Sequence, residues 1–215
     1  EMEVSLLASG STGNSIFIQE GTTRVLVDAG LTGKEIEKRL RLIEVDISSL
    51  QAIVVSHEHA DHIRGVGVLA RRLKLPVWIT QGTLNASNPI FQGPEQIQVF
   101  ENDKRFQIGD IAFQPFPLSH DAADPVNFAI FGDGSQVGIA TDMGIVTQLV
   151  YHRLRGSDFV VIEANYDRDL LMQGSYPWNL KRRISSSHGH LSNFRASEVL
   201  SRLAEEGLKK AVLAH

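Results

Sequence analysis

Residues 56–65 read SHEHADHIRG, and the six positions from His57 to His62 hold three imidazoles and two carboxylates, those of Glu58 and Asp61. Neighbouring imidazoles gain nothing from one another unless something they all bind sits among them, so a metal is the first reading. The stretch follows LQAIVVS (50–56), an apolar run that reads as a buried strand, and leads into IRGVGVLARRLK (63–74), which has helical period. A strand that ends in a ligand-rich loop and passes into a helix calls for a layered α/β fold. The chain has no cysteine, so the ligands must be imidazole and carboxylate.

The rest of the chain repeats that rhythm. EVSLLAS (3–9), SIFIQEG (15–21) and TRVLVDAG (23–30) read as strands, GKEIEKRLRLI (33–43) as a helix with Ile36, Leu40 and Ile43 on one face, and PVWIT (76–80) as a strand. Further on come the strand IAFQPFPLSH (111–120), a hairpin over 127–142 turning at Gly132–Gly134, and a helix over 144–154. A strand over 158–165, a helix over 193–206 and a strand over 209–215 complete the pattern. Strands interleaved with helices argue one layered domain, 1–215, of sheets flanked by helices. Four strands deliver a metal-type residue at their C-terminal ends: His57, His120, Asp142 and His215. Sites in open sheets form at strand ends, so one crevice is expected to gather them. Within the loop, His57 and His59 lie two apart on extended chain and point one way, whereas Asp61 and His62 follow the turn and point another. That arrangement serves two cations. His57, His59 and His120 are assigned to the first, Asp61, His62 and His215 to the second, and Asp142 bridges them. Such a pair, about 3.5–4 Å apart, lowers the pKa of a bridging water toward about 7. The expected reaction is hydrolysis.

Composition bounds the partners. No apolar run approaches the roughly 20 residues of a membrane helix, and EMEVSLLASGSTG lacks the basic region and apolar core of a signal peptide. A soluble cytoplasmic protein with no membrane partner is expected, with Glu1 an addition before the initiator Met2. The net charge of −4 gives no global attraction to nucleic acid, so a polyanionic substrate must meet a local basic patch. Asp28 is read as an acid orienting a ligand histidine, and His152 as a surface residue. ASGSTGNS (8–15) is not a phosphate loop, because a strand follows its glycines; it is read as a tight turn lending Ser11 or Asn14 to a substrate.

HEHADH, with His120, Asp142 and His215, resembles the metallo-β-lactamase superfamily, whose HxHxDH signature implies an αββα sandwich with a dinuclear site. LLASGSTGNS, VDAGLTGKEIEKRL, LSHDAADPVNF and YPWNLKRRISSSHGHLSN are similar to the YycJ/WalJ-type family within it, regarded as exonuclease-like phosphodiesterases linked to DNA repair. Two departures stand out: Tyr166 occupies a place where His is expected, and relatives continue past His215, so the chain is expected to be cut short there. The resemblance implies two divalent ions, zinc or manganese with iron as a further option. His59 argues against the redox members, which carry Glu there, and the lactamases either need a cysteine ligand or lack an acid like Asp142. Thioesterases of the glyoxalase II type share all seven ligands and form the alternative.

The residues favour a DNA phosphodiester. NLKRRISSSHGHLSN (179–193) offers Lys181, Arg182, Arg183, Ser192 and Asn193 to a substrate, the plainer reading of its cations being a basic helix end or a solvated loop. By likeness to the EAT…GHST pair of tRNA-processing nucleases, Glu163 and His190 join Asp61 as the catalytic residues, with His190 giving a proton to the leaving group. His188 is expected to point away if that segment is extended.

Overall fold

The computed structural model describes residues 2–87, 89–93 and 95–215; Glu1 lies outside them. The chain resolves into two compact units, Glu1–Ala112 with Ala122–Asp124, and Phe113–Asp121 with Pro125–His215.

The first unit runs β1 (Glu3–Ala8), β2 (Ser15–Glu20), β3 (Thr23–Val27), α1 (Gly33–Leu42), a 3-10 turn at Ile47–Ser49 and β4 (Ala52–Val54). It continues with α2 (Ala60–Ile63), α3 (Val66–Leu73), β5 (Pro76–Thr80), α4 (Gln81–Ala86), β6 (Gln96–Phe100) and β7 (Phe106–Ile108). Its sheet has the order β1-β2-β3-β4-β5-β6. The first three strands are antiparallel and β3 to β6 are parallel. Parallel neighbours require crossovers, and the helices serve as those crossovers. Helix α1 starts where Thr32 accepts from the Glu35 N–H, and it buries Ile36 and Leu40 completely. Those two pack with Leu26, Ile53, Leu69 and Val77 in one apolar cluster. Removing a side chain such as Ile36 there costs about 2–5 kcal/mol.

The helix expected over 63–74 is α3, which begins only at Val66, and the short α2 precedes it. Gly65 donates to the Ala29 carbonyl at 2.7 Å, and a Cβ on it would lie 2.3 Å from the Leu31 carbonyl oxygen, so the chain bends around that close approach.

The second unit holds β8 (Ile111–Pro117, from Phe113 on), β9 (Val126–Phe131), β10 (Gln136–Ala140), α5 (Gln148–Leu154) and β11 (Phe159–Glu163). It ends with α6 (Arg168–Gln173), α7 (Trp178–Ile184), α8 (Asn193–Glu205) and β12 (Lys210–Ala214). The strand order is β12-β11-β10-β9-β8. Strands β10, β11 and β12 are parallel and β9 runs against β10, so three C-terminal strand ends share one edge. Phe116, Val160, Ile162, Leu154, Val199 and Leu203 form its core.

One expectation is corrected. The helix expected from 144 begins at Gln148, because Gly144 lies so close to Ser186 and Ser187 that a Cβ would meet the Ser186 carbonyl oxygen at 2.3 Å. The NLKRRI run lies in α7, the basic helix end that was one of its two plainer readings, its cations lying at the C-terminal end that favours positive charge. Among the described residues no helix is long and apolar enough to cross a membrane.

Candidate functional site

In the first unit the ligand-rich loop is wired by one carboxylate. Asp28 follows β3 in a left-handed conformation (φ 61°), which Asp tolerates better than most residues, and donates its N–H to the Val54 carbonyl. Its Oδ1 accepts from Ser56 N at 2.8 Å; its Oδ2 accepts from Ser56 Oγ at 2.6 Å and meets His62 Nδ1 at 2.7 Å. Because the Ser56 hydroxyl proton goes to Asp28, Ser56 Oγ accepts from His57 Nδ1, 2.9 Å away. Both Nδ1 atoms therefore carry the proton, leaving the Nε2 atoms of His57 and His62 as lone-pair donors. His57 Nε2 stands 3.1 Å from His59 Nδ1, and His62 Nε2 stands 3.6 Å from Asp61 Oδ2. His57 and His62 are almost fully buried. Ring nitrogens and a carboxylate converging in this way suit a divalent cation, and the donor set fits zinc, manganese or iron.

Asn14 braces this loop. Its Nδ2 donates to Asp61 Oδ2 at 3.0 Å, its N–H donates to the Asp61 carbonyl at 2.7 Å, and its Oδ1 accepts from Gly10 N. A Cβ on Gly30 would lie 1.6 Å from that Asp61 carbonyl oxygen, so only glycine allows the contact. The expectation that Asn14 serves a substrate is thus corrected, because its amide is committed to the loop. Ser11, the other candidate, is exposed.

In the second unit the gathering residue is Glu163, the last residue of β11 and completely buried. Its Oε1 stands 2.7 Å from His190 Nδ1 and 2.9 Å from His215 Nδ1, while its Oε2 accepts from Met143 N at 3.0 Å and Leu191 N at 3.2 Å. His215 Nε2 then faces Asp142 Oδ1 at 3.4 Å. Asp142 and His215, at the ends of β10 and β12, are left-handed like Asp28 (φ 54° and 60°). Each such residue stores of order 1 kcal/mol, and strain of this kind collects at working sites. His120, in the loop between β8 and β9, has its ring 5.9 Å from that of His190, which is 4.9 Å from that of His215. Donor atoms of Asp142, Glu163, His190 and His215 all lie within 4.8 Å of one another. Glu163 already takes four donors, so Asp142 and His215 Nε2 are the better candidates for a metal.

The structure thus brings His57, His59, Asp61 and His62 together in the first unit, and His120, Asp142, Glu163, His190 and His215 together in the second. Sequence reasoning missed that Glu163 holds His215 as well as His190, and that Asn165 donates to the His215 carbonyl at 2.6 Å. The EAN triplet at a strand end was the only signal for either. The basic run divides. Lys181 is corrected out of the substrate set, because it is buried and its Nζ donates to the Met172 carbonyl at 2.6 Å. Arg182 and Arg183 are exposed, Arg183 lying 3.7 Å from the Asp121 carboxylate. Ser192 caps α8 by accepting from Arg195 N, and Asn193 is exposed. His188 sits in a turn rather than on extended chain, exposed and beside the Ser187 hydroxyl.

Residues 23–215 match the model of the beta-lactamase superfamily domain. The chain is 37% identical to exodeoxyribonuclease YycJ of Bacillus anthracis over 216 residues, covering 100% of this chain and 82% of that protein. The chain belongs to the metallo-β-lactamase superfamily, in its YycJ/WalJ family. Exodeoxyribonuclease WalJ of Streptococcus pneumoniae is 40% identical over 215 residues, covering 98% of this chain and 80% of the relative. Among solved structures, the metallo-β-lactamase fold protein YhfI of Bacillus subtilis superposes with a TM-score of 0.79 at 18% identity, covering 100% of this chain and 86% of that one. The αββα fold class expected from the sequence is therefore the fold of this family member. Membership implies divalent metal ions, and the two histidine and carboxylate clusters are where they can bind.

Proposed function

We propose that this protein is a dinuclear-metal-dependent phosphodiesterase acting on DNA, exonuclease-like, with residues 1–215 as its catalytic domain. The observation that carries the reading is the likeness, over essentially the whole chain, to proteins named exodeoxyribonuclease. None of the relatives named above carries a thioesterase name. His57, His59 and His120 would hold one cation, Asp61, His62 and His215 the other, and Asp142 would serve both. A bound pair of such ions supplies a nucleophile at neutral pH and offsets charge on the phosphate.

The chain's own residues do the rest. Asp28 and Ser56 keep protons on Nδ1 of His62 and His57, so that Nε2 is presented in the ligating tautomer. Glu163 does the same for His215. For His190 the same carboxylate holds the ring through Nδ1, so that a ring protonated on both nitrogens can pass Nε2–H to the leaving oxygen and remain a neutral imidazole bonded through Nδ1. Arg182 and Arg183 meet phosphates, and action on DNA places the enzyme in the cytoplasm.

Metal-loaded protein is to be incubated with labelled single- and double-stranded DNA, RNA and a lactoyl thioester. DNA is expected to be consumed, chelation to stop it, and elemental analysis to give two metals per chain. Consumption of the thioester alone would overturn the reading.

A further inference from the structure

Exposed aromatic surface of the second unit remains unexplained by this chemistry. Tyr166, the residue at the expected His position, is partly buried, and with Leu170, Leu171 and Tyr176 it lines a cleft of about 380 Å³. Leu170 is 73% exposed, Tyr176 56% and Trp178 64%, unusual for large apolar side chains clustered within nine residues of chain.

The cleft adjoins the proposed catalytic pair through the backbone. Asn165 N donates to the Leu191 carbonyl and Asn193 N donates to the Tyr166 carbonyl, both at 2.9 Å, and Tyr166 forms a parallel bridge with Ser192. Tyr166 is thus three residues from Glu163 and alongside the segment that follows His190.

Cations flank the aromatics. Arg182 stands one helical turn beyond Trp178 on α7, and positions four apart share a face. Arg183 is exposed beside it. The one acid lining the cleft, Asp167, has its Oδ1 engaged by the N–H groups of Asp169 and Leu170. A cleft of similar size between α5 and α8 offers no such pairing, since Arg195 lies on Glu198 and Arg202 on the Tyr151 ring.

We propose that Tyr166 and Tyr176 form a stacking subsite for an unpaired base of the DNA strand being degraded, with Trp178 stacking a neighbouring base and Arg182 holding phosphate. The inference rests on the nuclease reading and specifies its substrate as single-stranded DNA or a frayed end. Every base offers a flat face, so aromatic platforms bind unpaired strands with little sequence preference, at about 1–3 kcal/mol per stacked base. Bases within a duplex are already stacked on one another and cannot enter.

The test uses metal-loaded protein, a hydrolysis-resistant phosphorothioate oligothymidylate and a duplex of the same length. Tyr176→Ala and Trp178→Ala are each expected to raise the single-strand Kd about 5- to 150-fold, the conversion of that stacking range. The rise in KM should exceed any fall in kcat, and Tyr176→Phe should restore binding. Trp178 is one of two tryptophans, the other, Trp78, being stacked on Phe106. Oligothymidylate should therefore quench intrinsic fluorescence, and Trp178→Phe should abolish the quenching. Unchanged single-strand Kd in both alanine variants, in an enzyme that does hydrolyse DNA, overturns the subsite and leaves the nuclease reading intact. A dimer that Tyr176→Ala dissociates without changing the Kd overturns it in favour of self-association. Aromatic-dependent binding by a protein that cleaves no DNA leaves the subsite standing and sinks the nuclease reading.

Discussion

Asp28 in the first unit and Glu163 in the second are both buried carboxylates that orient histidines, yet they are built differently. Asp28 takes three donors, two of them from the single residue Ser56, and sets one histidine directly and a second through Ser56. Glu163 takes four donors from four residues, His190, His215, Met143 and Leu191. The first arrangement spreads control along a short loop. The second concentrates it in one side chain, so a proposed ligand histidine and the proposed proton donor share a support.

That contrast sets the largest expected effect. In Glu163→Gln an amide N–H₂ must face either two ring N–H groups or two backbone N–H groups, and the rings escape by moving their protons to Nε2. We expect turnover to fall by at least about 10²-fold, together with about 10- to 100-fold weaker metal binding through His215. Rates and metal titration check both. If only one of the two changes, the carboxylate is not a shared support.

His190→Ala isolates the catalytic share. It should keep both metals and lose about 10²–10⁴-fold in turnover, while His188→Ala loses little. Loss of metal in His190→Ala would move that histidine into the ligand set.

Asp28→Asn should do less, because asparagine tolerates the left-handed backbone and still accepts from Ser56 N. Metal affinity is expected to fall about 10- to 100-fold while kcat in metal-saturated enzyme holds. A fall in kcat as deep as that of Glu163→Gln would erase the distinction between the two supports.

The smallest effect concerns the basic run. Neutralising Arg182 and Arg183 together should flatten the log–log salt dependence of DNA binding by about 1.4–1.8, at roughly 0.7–0.9 per phosphate contact. Lys181→Met should leave that slope alone and instead cost about 1 kcal/mol of stability, measured by denaturant unfolding, through the lost bond to Met172. An equal change of slope for Lys181 would restore it to the substrate set.

These contrasts trace what could be read in one dimension. The strand pattern was legible because β-branched runs broken by glycine carry their own period; β2, β5 and β12 lie within a residue of expectation. Helices α4, α6 and α7 were not, since each is only six or seven residues long and lacks a clear apolar stripe. Lys181 shows the same limit at one side chain: a basic triplet reads alike whether its first member faces water or a carbonyl.

By itself the sequence determined that His57, His59, Asp61 and His62 form one candidate cluster, because six consecutive residues cannot be far apart whatever the rest of the chain does. It also determined which strands end in a candidate ligand. Only the tertiary structure decided that Glu163 serves His190 and His215 together. Those partners lie 27 and 52 residues away, and no local period records which buried carboxylate will meet which ring until parallel β11 and β12 bring their ends to one edge.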